Sequence, residues 1–497
     1  MRVLLVYPEF KVTFWGWKYL LRIIGKRAAF PPLGLLTVAA MLPESWEKKL
    51  VDLNVCKLTD EDIRWANYVF VGAMITQNDS TQEVLKRCER MEIPVVMGGP
   101  ILEKGCEEFP SVRHFLLGEV ENIMPQFLND LALYRAKKVY LSPPNTFPDM
   151  SASPIPLWGL INPRYYASML VQFVRGCPYK CEFCAVANLN GRTPRAKLPK
   201  QFLRELDALY KTGFRGGIMV ADDNFIGNKA KVKAMLLRLV GWQITHKYPY
   251  EFTVEADITL ADDEDLMDLM VKAGFKKVFL GLETPNKESL IECGKTQNVN
   301  RDMCADVKKI HNHGLVTLSG FIFGFDHDGP DIFKQHIEFY RKTGIIFPML
   351  SMLQASKGSL LYKKMEEEGR LQEQASGNNT DCRPNFACKM PVGTLVQGYK
   401  DVLKTVYSPR EYYERIRVFL REYNTTKKVA RKVTASDVSL FFSSVWRIGI
   451  FGGFRTSFYY WRTLSLAFFK HRRAFSEAVT FWVYRLHFWR FAKNNNS

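Results

Sequence analysis

Six short apolar runs recur between residues 168 and 353, each rich in β-branched or aromatic side chains and most followed by a segment with helical spacing. They lie at 169–174, 217–221, 251–255, 277–282, 317–323 and 349–353, with helical segments at 199–212, 262–273 and 331–343 among those between them. Strands that alternate with helices must pair in parallel, because each helix returns the chain to the same end of the sheet. Eight such units close a full barrel, so six predict an α/β fold with a partial (βα)6 barrel over residues 167–384. Reacting residues then belong at the C-terminal ends of its strands.

A second series precedes the barrel. Residues 2–7 (RVLLVY), 69–72 and 94–98 read as strands and 81–91 as a helix. This predicts a doubly wound parallel sheet over residues 1–142. Residues 143–166 hold Pro143, Pro144, Pro148, Pro154, Pro156 and Pro163, which predicts an extended linker. From 385 to 497 the pattern predicts a helical extension, with helices at 394–407 and 411–423.

The net charge is +18, and residues 425–497 carry 13 Lys or Arg against Asp437 and Glu477. The same tail holds 18 aromatic residues between Phe441 and Phe491, and Phe481, Tyr484 and Phe488 share one helical face. Three readings stay open. The tail lies on an anionic membrane surface, caps the barrel with a basic rim, or binds nucleic acid, in that order of preference. The most apolar stretch, 440–461, contains Arg447 and Arg455 and so predicts no bilayer span. The opening MRVLLVYPEF reads as a buried strand and not a secretory signal. The expectation is a cytoplasmic protein with its tail at the inner face of the membrane.

Arg175-Gly176-Cys177-Pro178-Tyr179-Lys180-Cys181-Glu182-Phe183-Cys184 follows the first barrel run, which places it at the barrel mouth. Three thiolates at spacings of four and three let one loop wrap three irons of a [4Fe-4S] cluster and leave the fourth iron open. A zinc site would need a fourth ligand, and none lies nearby in sequence. Cys56, Cys88, Cys106, Cys293, Cys304, Cys382 and Cys388 form no pattern; Cys382 and Cys388, six apart, read first as buried thiols and only second as ligands of a second metal.

This motif resembles the CxxxCxφC signature of the radical S-adenosylmethionine (SAM) superfamily, with Phe183 as the aromatic φ. The resemblance implies a cluster on Cys177, Cys181 and Cys184 that cleaves SAM reductively. It implies SAM contacts from Asp222 and Asp223, in the string Asp222-Asp223-Asn224-Phe225, and from Glu255, from Glu283 in a GxE-like turn, and from Gly320 and Gly324. Helix caps at Asp222 and Asp223 and a satisfied mouth carboxylate at Glu283 are the plainer alternatives. The order of sheet, linker and barrel, with Phe30-Pro31-Pro32-Leu33-Gly34, Val51-Asp52-Leu53-Asn54, Gly98-Gly99-Pro100 and Gly118-Glu119, is similar to the cobalamin-binding radical SAM subclass, hopanoid methylases among them.

That likeness implies cobalamin near Met74, Thr76, Gln77, Gly98, Gly99, Gly118 and Glu119. It would sit without a histidine beneath cobalt, since Asp52-Leu53-Asn54 continues as Val55-Cys56-Lys57. The implied activity is methylation of an unactivated carbon in a small-molecule or lipid substrate, with electrons from an external donor such as flavodoxin or ferredoxin. A cyclase, rearrangement or oxidation enzyme of the same subclass, and a non-catalytic iron–sulfur protein that binds membrane or RNA, are the alternatives. No further catalytic residue is assigned.

Overall fold

The computed structural model describes all residues except 14–15, 144, 379–380, 427–434 and 495–497, and all side chains of the rest but 435, 436 and 494. Pro144 and the charges of Lys427, Lys428, Arg431 and Lys432 therefore lie outside the described residues.

The N-terminal sheet has strands β1 (Arg2–Tyr7), β2 (Glu47–Asp52), β3 (Tyr68–Gly72), β4 (Val95–Gly98), β5 (His114–Leu117) and β6 (Val139–Leu141). They run in the order β2-β1-β3-β4-β5-β6, every pair parallel. Leu4, Val6, Val69, Val71 and Met97 pack on one face, and Val3, Leu5, Phe70 and Val96 on the other. A sheet buried on both faces explains why β1 is a continuous apolar run. The order reverses between β1 and β3, where an open α/β sheet forms its crevice.

The second sheet carries β7 (Ser168–Val171), then a ribbon of β8 (Val174–Arg175) with β9 (Arg195–Ala196). After these come β10 (Gly216–Val220), β11 (Tyr250–Ala256), β12 (Phe275–Glu283), β13 (Val316–Phe323) and β14 (Phe347–Met352). Its order, β14-β13-β12-β11-β10-β7, is parallel throughout, so the six predicted runs form an open six-stranded barrel. The first is shorter than its apolar pattern suggests. Asp222 Oδ1 accepts from Phe173 N at 2.7 Å and ends the ladder beyond Val171.

Strand alternation sets the lumen. In β11 the buried Phe252, Val254 and Ala256 alternate with the half-buried Thr253 and Glu255, and register aligns Glu255 with Phe279. Gly281 faces Gly320 one step further along. The strand N-terminal ends are plugged by the C-terminal helix Phe475–Asn494. Lys277 Nζ donates to Tyr484 Oη at 2.8 Å, and the Phe347 ring lies 5.5 Å from Phe481 and 5.8 Å from Phe488.

The face of Phe481, Tyr484 and Phe488, expected first at a membrane surface, is thus buried as a cap; the membrane reading is corrected for these three residues. Helices Val392–Val406 and Pro409–Glu422 replace the expected 394–407 and 411–423. Among the described residues no helix is long and apolar enough to cross a membrane.

Candidate active site

The cysteine loop leaves β8 through Gly176, whose φ is +94°. A Cβ there would stand 2.8 Å from Thr193 O and 3.0 Å from Asn190 O, so only glycine lets the chain turn. Asp223 Oδ2 accepts from Gly176 N at 2.7 Å and from Asn190 Nδ2 at 3.0 Å. Cys177 N donates to Gly191 O and Glu182 N to Cys293 O, which ties both ends of the loop.

Cys177, Cys181 and Cys184 are half-buried and unbridged. Burial raises all three thiols, Cys184 up to about 11, and each feels the Lys295 ammonium. Metal binding at this loop must therefore release protons. Among the described residues no three His, Cys, Asp or Glu side chains converge as a single ion's ligands would. A lone zinc would need thiolates within about 2.3 Å of one point. Three thiols on one loop beside a buried ammonium are a donor set that fits a cluster in which each takes its own iron. Phe183 turns into a small core with Phe325, Leu353 and Leu361 and anchors the loop from behind.

Two residues without a sequence motif complete this wall. Lys295 Nζ donates to Glu283 Oε1 at 2.7 Å, both side chains nearly buried. Burial works against the Lys295 charge, but the Glu283 carboxylate and the cysteine thiols hold it above its usual range. Glu283 has φ +64°, and a Cβ on Gly281 would come 2.5 Å from its Oε1, so the glycine of the GxE-like turn makes room for this ion pair. Gln297 Nε2 lies 4.0 Å from Cys181 Sγ. The clue in the sequence was a cation a dozen residues past Glu283, which spacing alone does not mark.

Asp222 and Asp223 do not cap the following helix, which Asn228 caps at Lys231 N. They grip the backbone beneath the cysteine loop, and burial pushes Asp222 up to about 8. Glu255 faces the lumen; burial first, and the Asp223 charge second, push it up to about 7. Gly320 borders Phe279, where a Cβ would stand 3.1 Å from the ring. Gly324 lies outside this group: it ends β13 with φ +106° beside Leu395. Asp222 Oδ2, Asn224 Oδ1, Gln297 Oε1 and Asn298 Oδ1 are buried without a hydrogen-bond partner in the structure. These four lie near the cysteine loop in the fold, and a polar ligand bound at the strand C-terminal ends would satisfy them.

At the C-terminal edge of the first sheet, two of the seven expected residues are otherwise engaged. Gln77 donates to Pro8 O across the β1–β3 crevice and accepts from Met74 N at 2.7 Å. Glu119 is paired with Arg175 and, at 2.6 Å, with Arg195. Both side chains hold neighbouring segments together. Gly98, Gly99 and Gly118 do line the edge with Thr76 and the exposed Met74. Gly99, at φ +102°, is required by Ala73 O, 2.6 Å from its Cβ position. Ser142 Oγ, just past β6 on the same edge, is buried without a hydrogen-bond partner. Cys382 and Cys388 form no metal group among the described residues.

The profile of the radical SAM superfamily matches residues 171–340, and that of a domain of unknown function, DUF4070, matches 360–497. An uncharacterized methyltransferase of Synechocystis sp. is 38% identical over 98% of this chain and 91% of its own length. The hopanoid C-2 methylase of Rhodopseudomonas palustris is 30% identical over 92% and 88%. The fold matches the cobalamin-dependent radical SAM enzyme OxsB (TM-score 0.64, 14% identity, 98% of this chain, 84% of that one). It also matches the methyltransferase TsrM of Kitasatospora setae (TM-score 0.62, 14% identity, 99% of each). The loop, the barrel and these relatives agree: the chain belongs to the radical SAM enzymes built on a cobalamin-binding-type sheet, and it is a SAM-dependent C-methyltransferase.

Proposed function

We propose that this enzyme methylates an unactivated carbon of an apolar, lipid-class substrate, with cobalamin held between the two sheets. One observation carries the reading: the cysteine loop is clamped to the C-terminal edge of the N-terminal sheet through Arg175, Glu119 and Glu121. Identity with the hopanoid methylase over 88% of its length supports the substrate class. The working division is 1–142 for cobalamin, 143–166 as linker, 167–384 for SAM and 385–497 as cap.

When bound, a cluster at this loop would supply one-electron reduction of SAM, and cobalamin at the sheet edge would supply methyl-transfer chemistry. Cys177, Cys181 and Cys184 hold the cluster, and Lys295 offsets their thiolate charge. Glu255, poised near neutrality, can donate to or accept from a ribose hydroxyl. Gly281 makes room for the Glu283–Lys295 pair, and Gly320 leaves room beside Phe279. Gly98, Gly99, Gly118, Thr76, Met74 and Ser142 bound the cobalamin edge. An external flavodoxin or ferredoxin delivers the electron.

Reconstituted enzyme given SAM and a reductant should form 5′-deoxyadenosine and S-adenosylhomocysteine together. Formation of the first alone refutes methyl transfer and favours a cyclase or oxidation enzyme. Loss of both products on replacing Cys177, Cys181 and Cys184 by alanine ties them to the loop.

A further inference from the structure

The tail uses only part of its aromatic surface to plug the barrel. Helix Phe454–Lys470 buries Tyr460, Leu464 and Ala467. On this helix, the preceding π-helix Val445–Ile450 and the residue just after it, Trp446 is 61%, Phe451 66%, Phe454 89% and Phe469 73% exposed. Scattered apolar residues are ordinary on a surface; four large aromatics on adjoining segments are not. The Trp446 and Phe451 rings stand 4.8 Å apart at the rim of a groove of about 410 Å³. Arg447 and Arg490 line the same groove, and among the described residues neither is ion-paired. From 435 to 494 there are nine Lys or Arg and only Asp437 and Glu477 as acids.

We propose that this face docks on a bilayer of anionic phospholipid, with the aromatics entering the headgroup layer and Arg447 and Arg490 flanking a lipid phosphate. Large aromatics ringed by unpaired cations are the composition that such an interface rewards. A second copy is a poorer occupant, because a twofold contact would set Arg447 and Arg490 against their own counterparts. The face lies on the cap, whose buried side closes the strand N-terminal ends, opposite the cysteine loop. Docking and SAM cleavage are therefore separable, and the proposal stands apart from methyl transfer.

The full-length enzyme is floated with vesicles of phosphatidylcholine, alone or mixed with phosphatidylglycerol. Wild type should float only with the anionic vesicles. Trp446→Ser/Phe451→Ser/Phe454→Ser and, separately, Arg447→Glu/Arg490→Glu should each lower the bound fraction by roughly tenfold or more. Both variants should cleave SAM at the wild-type rate, which reports an intact fold. Flotation unchanged in either variant overturns the proposal. So does wild type that ignores anionic vesicles, or one that forms a dimer or an RNA complex which these substitutions abolish.

Discussion

Arg175 donates both terminal nitrogens to the Glu121 carboxylate, at 3.2 and 3.1 Å, two residues before the first cysteine of the loop. The fork joins the start of the cysteine loop to the segment that follows β5 in the N-terminal sheet. Burial opposes charge on Glu121, yet Arg175 holds it below the usual carboxylate range. Truncating Arg175 leaves Glu121 buried without its cation, while Glu119 keeps Arg195.

Arg175→Ala should cost about 3–5 kcal/mol of stability at neutral pH. The sign follows from the lowered Glu121 pKa. The pair stabilises above the ordinary glutamate value and its contribution fades as pH falls through the folded value. Denaturant melts at neutral and acid pH should therefore converge for wild type and variant. A penalty that grows in acid would contradict the assignment.

Lys295→Ala should reduce SAM cleavage by about ten- to a hundredfold and shift the cluster potential to more negative values. The ammonium is the cation beside all three thiols, and its loss also strands Glu283. Lys295→Arg keeps the charge and should recover most of the potential. Redox titration followed by EPR separates this from a merely structural role, which would lower cluster content without moving the potential.

Much of this was legible in the chain, and the failures have physical causes. All six barrel strands follow from short apolar runs, because helices cover their outer face and only scattered positions, such as Glu255 and Lys277, are polar. β2 was missed as a strand because its sequence, EKKLVD, belongs to an edge strand exposed along half its length. β6, another edge, shows only Tyr140 buried. The cysteines were legible because a cluster needs fixed spacing, whereas Lys295 and Ser142 come from loops whose position only the assembled fold decides. Gln77 and Glu119, expected from the resemblance near a cofactor, are engaged with protein partners in the fold. Sequence places them at the right edge but cannot show which partner reaches them first. The face of Phe481, Tyr484 and Phe488 was legible as a face, but periodicity does not say whether protein or lipid covers it.

The cap predicts a large cost for a single truncation. Phe488 is fully buried, stacked 5.1 Å from Tyr407 and packed on Phe347 and Trp17. Phe488→Ala should destabilise by about 3–5 kcal/mol, as large-to-small changes in a packed core do. Phe469→Ala, at an exposed position, should change stability by less than about 0.5 kcal/mol. Equal effects in thermal melts would mean that the helix does not pack as described.

Glu255 gives the opposite pH sign to Glu121. Its folded value of about 7 lies above the ordinary 4.5, because burial and the Asp223 charge disfavour the carboxylate. A raised acid contributes stability that is whole below the unfolded value and is lost as pH climbs to the folded one. Above about pH 7 the cofactor-free chain therefore carries a charging penalty of up to about 3 kcal/mol at this site. Glu255→Gln keeps the shape and removes the charge. In the cofactor-free protein it should melt higher than wild type at about pH 8, with the gain shrinking toward about pH 5. In the loaded enzyme the same substitution should weaken SAM binding, because the lumen loses its one carboxylate aligned with Phe279. Thermal melts at the two pH values and SAM titration by calorimetry check both halves. A variant less stable at about pH 8 than wild type would show that Glu255 is ionised and satisfied in the folded chain, which would remove it from the ligand set.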